Sequence, residues 1–229
     1  MALELVKASA GGTASEPSQP DLAAEANHRV ANSLSVIAGL LRMQAASISS
    51  ARRNLPSEEV RLLLEEFGAR LDAVSRLHRL LASSDHREAI DLAGYLQSVA
   101  EAVVASLSFA GLADLRFEGQ PGCAAAPKKA LWLGLIVGEL VTNTVKYAHP
   151  TRIGGEINVS CHKAPGELII VRVSDDGVGL PDGLDPTADG HLGFRLVHML
   201  ARQLGAEITF EDDGLGLTVT VRIPERSLT

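Results

Sequence analysis

The sequence predicts an α+β chain in two parts: a helical hairpin, then a domain whose three helices cover one face of a mostly antiparallel sheet. Three observations lead there. Apolar residues in the first third recur in alternating four- and three-residue steps. Period-two alternation begins only past the middle of the chain. Of the 229 residues, 46% are hydrophobic but only 3% aromatic, so Ala, Leu and Val must build the core, and helix packing is favoured over a β-sandwich.

The first 20 residues mix Ala, Gly, Ser and Pro and read as a mobile tail. Asp21, after Pro20, can cap a first helix with apolar positions Val30, Leu34, Ile37 and Leu41. A loop near Ser49–Pro56 leads to a second helix from Ser57, carrying Val60, Leu64, Phe67, Leu71, Val74 and Leu81 on the same spacing. Such a hairpin buries only one stripe, and its natural completion is a four-helix bundle made by two chains. His78 falls on that stripe and reads as a packed, partly buried histidine. The chain changes character after Ser84, which sets expected boundaries of 1–20 for the tail, 21–84 for the hairpin and 85–229 for the second domain.

In that domain Asp91 can cap a helix over Leu92–Phe109, and a short strand follows at Leu115–Glu118. Pro127, allowed in a first turn, opens a long helix to Ala148. Glu156–His162 and Glu167–Ser174 alternate around Ala-Pro-Gly and read as a β-hairpin. A Gly-, Asp- and Pro-rich loop runs from Asp175 to Gly190. A helix follows from Gly193 to Leu204, then strands at Glu207–Glu211 and Leu217–Ile223.

Composition narrows the function. A net charge of −7 argues against a general nucleic-acid binder. No apolar run reaches the roughly 18 residues of a membrane span, and the N-terminus has no basic region followed by a long apolar stretch. Cys123 and Cys161, far apart in sequence, fit no metal spacing and no disulfide scaffold, so a reducing compartment and a cytoplasmic location are expected.

Four stretches could carry chemistry. His28 lies about 150° from the centre of its helix's apolar stripe and so faces solvent. That position suits an ordinary surface histidine. It also suits a phosphoryl acceptor, which must be reachable by a donor and a recipient and is nucleophilic when neutral. Glu139, Asn143 and Lys146 are spaced by four and three and share a helix face, beside Tyr147. They form either a polar stripe or a set of oxygen ligands and a cation suited to Mg²⁺ and phosphate. Asp175-Asp176-Gly177-Val178-Gly179 follows a strand. It is either a plain turn or a close-approach loop whose carboxylate accepts a hydrogen bond from an amino group such as that of adenine. Gly190-His191-Leu192-Gly193-Phe194-Arg195 opens a helix, where free N–H groups attract phosphate.

Taken in this order, the last three stretches resemble the N, G1 and G2 boxes of the GHKL-type (Bergerat) ATPase superfamily. His28-Arg29-x-x-Asn32-x-Leu34 and Leu40–Ala45 resemble the phosphoacceptor helix of the H-R-x-x-N class of bacterial sensor histidine kinases, and Arg70–His78 resembles its second helix. The resemblance spans roughly 21–225. It implies ATP and Mg²⁺ as cofactors, His28 as the phosphorylated residue, and Asn143 as the Mg²⁺ holder, with Glu139 assisting the metal or the nucleophile. It further implies Asp175 on the adenine amino group, Gly177 and Gly179 shaping that pocket, Gly193 against the phosphates, and Lys146 and Arg195 as phosphate neighbours. The loop 181–190 becomes an ATP lid, and 84–90 a hinge.

The chain departs from the class at Ala31, where Lys is usual, and at Gly138, Asp176 and His191. The W-x-E feature of the related HWE group is absent, which places the chain beside that group. The implied partners are a response-regulator receiver domain, a second copy through the hairpin, and a possible separate sensor protein; no nucleic acid is implied. The implied reaction is autophosphorylation of His28 from ATP and transfer to a regulator aspartate. The rival of the same architecture is a histidine phosphotransferase that relays phosphate without ATP. A third reading is a binding module that uses the nucleotide fold without phosphorylating itself.

Overall fold

The computed structural model describes residues 89–107, 113–150, 154–181, 183–186 and 192–229, with isolated positions between 38 and 79. Contacts divide the chain into Met1–Val36 and Ile37–Thr229, and every described residue belongs to the second unit. The expected tail, His28, His78, Leu81 and most of the hairpin lie outside the described residues. Those described between 38 and 45 and between 57 and 79 are helical, as the apolar spacing predicts. Within the predicted stripe Val74 is buried, whereas Leu41, Val60, Leu64 and Leu71 are exposed at 47%, 40%, 67% and 36%.

A two-residue strand, β1 (Ile90–Asp91), leads into α1 (Leu92–Leu107). The Asp91 carboxylate accepts the Gly94 N–H at 2.9 Å, the N-cap that the sequence anticipates. Leu92, Tyr95, Leu96, Val99 and Val103 recur every three or four residues and form the helix's buried face. β2 (Ala113–Gly119) is longer at both ends than the predicted strand. β3 (Ala124–Ala125) pairs antiparallel with β1, a contact too short to leave a period in the sequence.

α2 runs from Pro127 to Asn143. Every residue from Ala130 to Thr142 is buried, because α2 lies between α1 and the later helix α3 (Leu192–Leu204) and rests on the sheet. At Thr144 the winding widens to a π turn over Thr144–Ala148. The single α-helix expected to Ala148 is therefore interrupted near its C-terminal end, and the angular place of Lys146 does not follow from the α period.

The hairpin strands are β4 (Gly155–Ala164) and β5 (Leu168–Asp175), turning through Gly166 at φ 83°. β6 (Glu207–Asp212) and β7 (Leu217–Pro224) complete a five-stranded sheet of order β2-β4-β5-β7-β6. Only β2 and β4 run parallel. Ile157, Val159 and Cys161, with Ile169, Val171 and Val173, and with Val219, Val221 and Ile223, form the buried face under the helices. A short 3₁₀ turn at Glu225–Ser227, not anticipated, brings buried Leu228 under α2, where its carbonyl accepts the Ala126 N–H at 2.7 Å.

Cys123 and Cys161, far apart in sequence, meet in space: the β2–β4 register draws the 120–123 turn against β4, with the Gln120 N–H on the Cys161 carbonyl at 2.8 Å. The two thiols are fully buried, free and hydrogen-bonded to each other. Burial pushes both thiols up from their ordinary range, so they stay protonated and unreactive.

Candidate functional site

Asp175 ends β5 on the inward side that follows Ile169, Val171 and Val173, so alternation alone sends its carboxylate toward the helical layer. There it is held from three segments. Its Oδ1 accepts the Gly177 N–H at 3.0 Å and the Leu217 N–H at 3.2 Å. Its Oδ2 lies 3.2 Å from the hydroxyl of Thr144, the first residue of the π turn. The same hydroxyl lies 3.2 Å from the Leu140 carbonyl, and its single proton serves one acceptor at a time. The carboxylate is thus fixed in direction and keeps acceptor capacity on Oδ2 for an incoming N–H donor.

The loop after Asp175 folds back on the end of α2. The Val178 N–H bonds the Ala148 carbonyl at 2.9 Å. Gly177 allows this approach, since a Cβ there would lie 2.4 Å from that carbonyl oxygen. Gly179 turns with φ 72° and sits against the carboxylate of Asp212. The Asp212 carboxylate accepts the Leu180 N–H at 2.7 Å and the Gly214 N–H at 2.9 Å. These two donors hold its pKa below the usual carboxylate range. Asp176 is likewise held low, first by the Glu156 N–H at 2.8 Å and then by the His149 ring at 2.9 Å.

The other end of the site is where α3 begins. Gly193 lies directly over α2: a Cβ there would fall 2.9 Å from Glu139 Oε2 and 3.7 Å from the Asn143 amide. Glu139 is buried at 3% exposure, unlike a residue of a solvated polar stripe. Asn143 and Lys146 are half-buried, and Arg195 is exposed one turn into α3. The structure therefore brings Gly193 over Glu139 and Asn143 near the end of α2, and seats the loop that begins at Asp175 and Gly177 against the π turn that follows. Among the described residues between 181 and 190, the Pro186 carbonyl accepts from His198 Nε2 at 3.2 Å. The His198 ring leans on Phe210 at 5.6 Å, and Phe210 meets Phe194 edge-on at 5.5 Å.

Sequence reasoning missed Thr144, His149, Asp212 and His198. Each acts on a partner 12 to 32 positions away, so no local spacing could have found it. The glycines were the available signal, because each marks a close approach.

Glu139 and Asn143 offer the oxygen donors that Mg²⁺ takes, and the glycine-opened start of α3 leaves the space above them that a Cβ would fill. Among the described residues no group of three or more His, Cys, Asp or Glu could hold a metal alone, so the coordination of a divalent ion would be completed by phosphate oxygens and water. No helix among the described residues is long and apolar enough to cross a membrane.

Two family profiles match. One, described as histidine kinase, covers residues 25–107; the other, described as histidine kinase-, DNA gyrase B- and HSP90-like ATPase, covers 128–227. The chain is 29% identical over 206 residues to blue-light-activated histidine kinase 2 of Erythrobacter litoralis, covering 88% of this chain and 56% of that one. It is 28% identical over 207 residues to the sensor histidine kinase PdtaS of Mycobacterium tuberculosis, covering 87% of this chain and 38% of that one. The chain thus spans about half or less of these relatives' lengths. The solved blue-light-activated histidine kinase EL346 of Erythrobacter litoralis superposes with a TM-score of 0.66 at 26% identity, over 94% of this chain and 62% of that one.

Proposed function

Because the chain belongs to the histidine kinases, with the phosphoacceptor segment ahead of a GHKL-type ATPase segment, we propose that it is an ATP-dependent protein-histidine kinase that phosphorylates His28. The γ-phosphoryl group moves from ATP to an imidazole nitrogen of His28: an N–P bond forms, the bond to the β,γ-bridging oxygen breaks, and ADP leaves. The phosphoryl then passes to an aspartate oxygen of a response-regulator receiver domain. We assign the hairpin to 21–84 and the nucleotide domain to 85–229.

One observation carries the reading. A single buried helix presents Glu139 and Asn143 to the start of α3 at Gly193, and within one further turn seats the loop that fixes Asp175. Phosphate chemistry and base recognition are thereby set a fixed distance apart. Asp175 accepts from the adenine amino group, and Gly177 and Gly179 keep side chains out of that pocket. Asn143 holds Mg²⁺, which when bound neutralises phosphate charge. Glu139 supports the metal or the nucleophile. Gly193, Lys146 and Arg195 meet the phosphates through the N–H groups of a helix start and two cations. A homodimer through the hairpin, a cytoplasmic location and an input from a separate sensor protein belong to the same reading. The exposed stripe of Leu41, Val60, Leu64 and Leu71 supports the homodimer.

The test is incubation with Mg²⁺ and γ-labelled ATP, comparing wild type, His28→Ala and Asn143→Ala. Acid-labile, base-stable label is expected in the wild type and in neither variant. A wild type that takes no label from ATP but accepts it from a phosphorylated receiver domain would instead identify a phosphotransferase.

A further inference from the structure

His149 closes the π turn after α2, and its imidazole lies where three separate segments meet. Its Nε2 is 2.9 Å from Asp176 Oδ1. A carboxylate only accepts, so Nε2 carries the proton. The same oxygen accepts the backbone N–H of Glu156 at 2.8 Å, at the start of β4. Gly155 makes the room: a Cβ there would lie 1.8 Å from His149 Nε2 and 2.2 Å from its Cδ2. Immediately before His149, the Ala148 carbonyl takes the Val178 N–H at 2.9 Å. The imidazole therefore stands beside the backbone bond that seats Gly177 and Val178, and grips the residue between Asp175 and Gly177.

We propose that His149 is a positioning residue for nucleotide binding: through Asp176 it straps the 175–180 loop to the end of α2, in a berth that Gly155 leaves open. This rests on the assignment of Asp175 and Gly177 to an ATP pocket. His149 acts through the loop and touches no reacting atom. Without it Asp176 keeps the Glu156 N–H but loses its tie to the helix that carries Asn143, and the register of the base-recognition and phosphate ends rests on the Val178–Ala148 and Thr144–Asp175 bonds alone.

The test uses the full chain with wild type, His149→Ala, His149→Gln and Gly155→Ala, the Gln amide presenting an N–H where Nε2 stood. Two quantities are measured: amide hydrogen exchange over residues 173–181 without nucleotide, and the dissociation constant for Mg-ATP. Gly155 has no positive φ, so alanine there displaces the ring without straining the backbone. His149→Ala and Gly155→Ala should each speed exchange over the loop and weaken Mg-ATP binding about three-fold, the scale of one side-chain hydrogen bond. His149→Gln should restore both. Unchanged exchange in either disrupting variant, or a glutamine variant indistinguishable from alanine, overturns the strap. A wild type that does not bind Mg-ATP overturns the nucleotide reading instead, and the strap is still judged by exchange alone.

Discussion

Asp175, Asp176 and Asp212 meet one short loop and play three different parts. Asp175 is held by two N–H groups and a hydroxyl and is the one left facing the proposed pocket. Asp176 and Asp212 spend their oxygens on the loop's own supports. Both of these have pKa values depressed by backbone donors. A carboxyl with a lowered folded pKa contributes stability that is present above its unfolded value, about 3.9, and is lost as pH falls through the folded value. Removing Asp176 or Asp212 as alanine should therefore destabilise the domain at pH 6, and the gap from wild type should close below about pH 4. Urea unfolding at pH 6, 4 and 3 reads this directly; a gap constant to pH 3 contradicts it. Asp175, Gly177 and Gly179 were legible beforehand because their spacing is local. His149 was not, since it meets Asp176 across 27 positions, and neither residue type nor hydropathy records such a meeting.

At the level of elements, α2 decides the site. Its Pro127 start and unbroken apolar stretch made it readable, and the alternation of β4 and β5 made the hairpin readable. The π turn was hidden, because a shift from i+4 to i+5 bonding changes no residue type. The parallel β2–β4 pair was hidden as well, because it joins strands separated by a whole helix. A methyl group on Gly193 would come within 2.9 Å of Glu139 Oε2, so one of the two must shift. Gly193→Ala should push the start of α3 away from Glu139 and cost about 1–3 kcal/mol, the usual range for overpacking a buried contact. Thermal unfolding measures the loss, and Mg-ATP binding should weaken with it. A variant as stable as wild type would mean that the Glu139 carboxyl simply moves aside.

At the scale of the whole molecule, the hairpin and the nucleotide domain obey different rules of completion. The nucleotide domain buries its own apolar face beneath three helices. The hairpin leaves Leu64 at 67% exposure on the very stripe that the spacing marks as interior. A second copy is the proposed cover, so Leu64→Asp should convert a dimer to a monomer in sedimentation while leaving Mg-ATP binding by the other domain intact. A wild type that sediments as a monomer at micromolar concentration sinks the dimer.

The order of the sheet also bears on how the domain comes into being. β7 is the last strand in sequence but lies inside the sheet, bonded to β5 on one side and β6 on the other. Until it is made, β5 has an open edge where it belongs and β6 has no strand to pair with. Asp175 meanwhile lacks the Leu217 N–H that helps aim it. On the ribosome the nucleotide domain therefore cannot assemble strand by strand as it emerges. It keeps an unpaired sheet edge until Leu217–Pro224 has emerged, and its loop of aspartates is fully aimed only once that strand is in place.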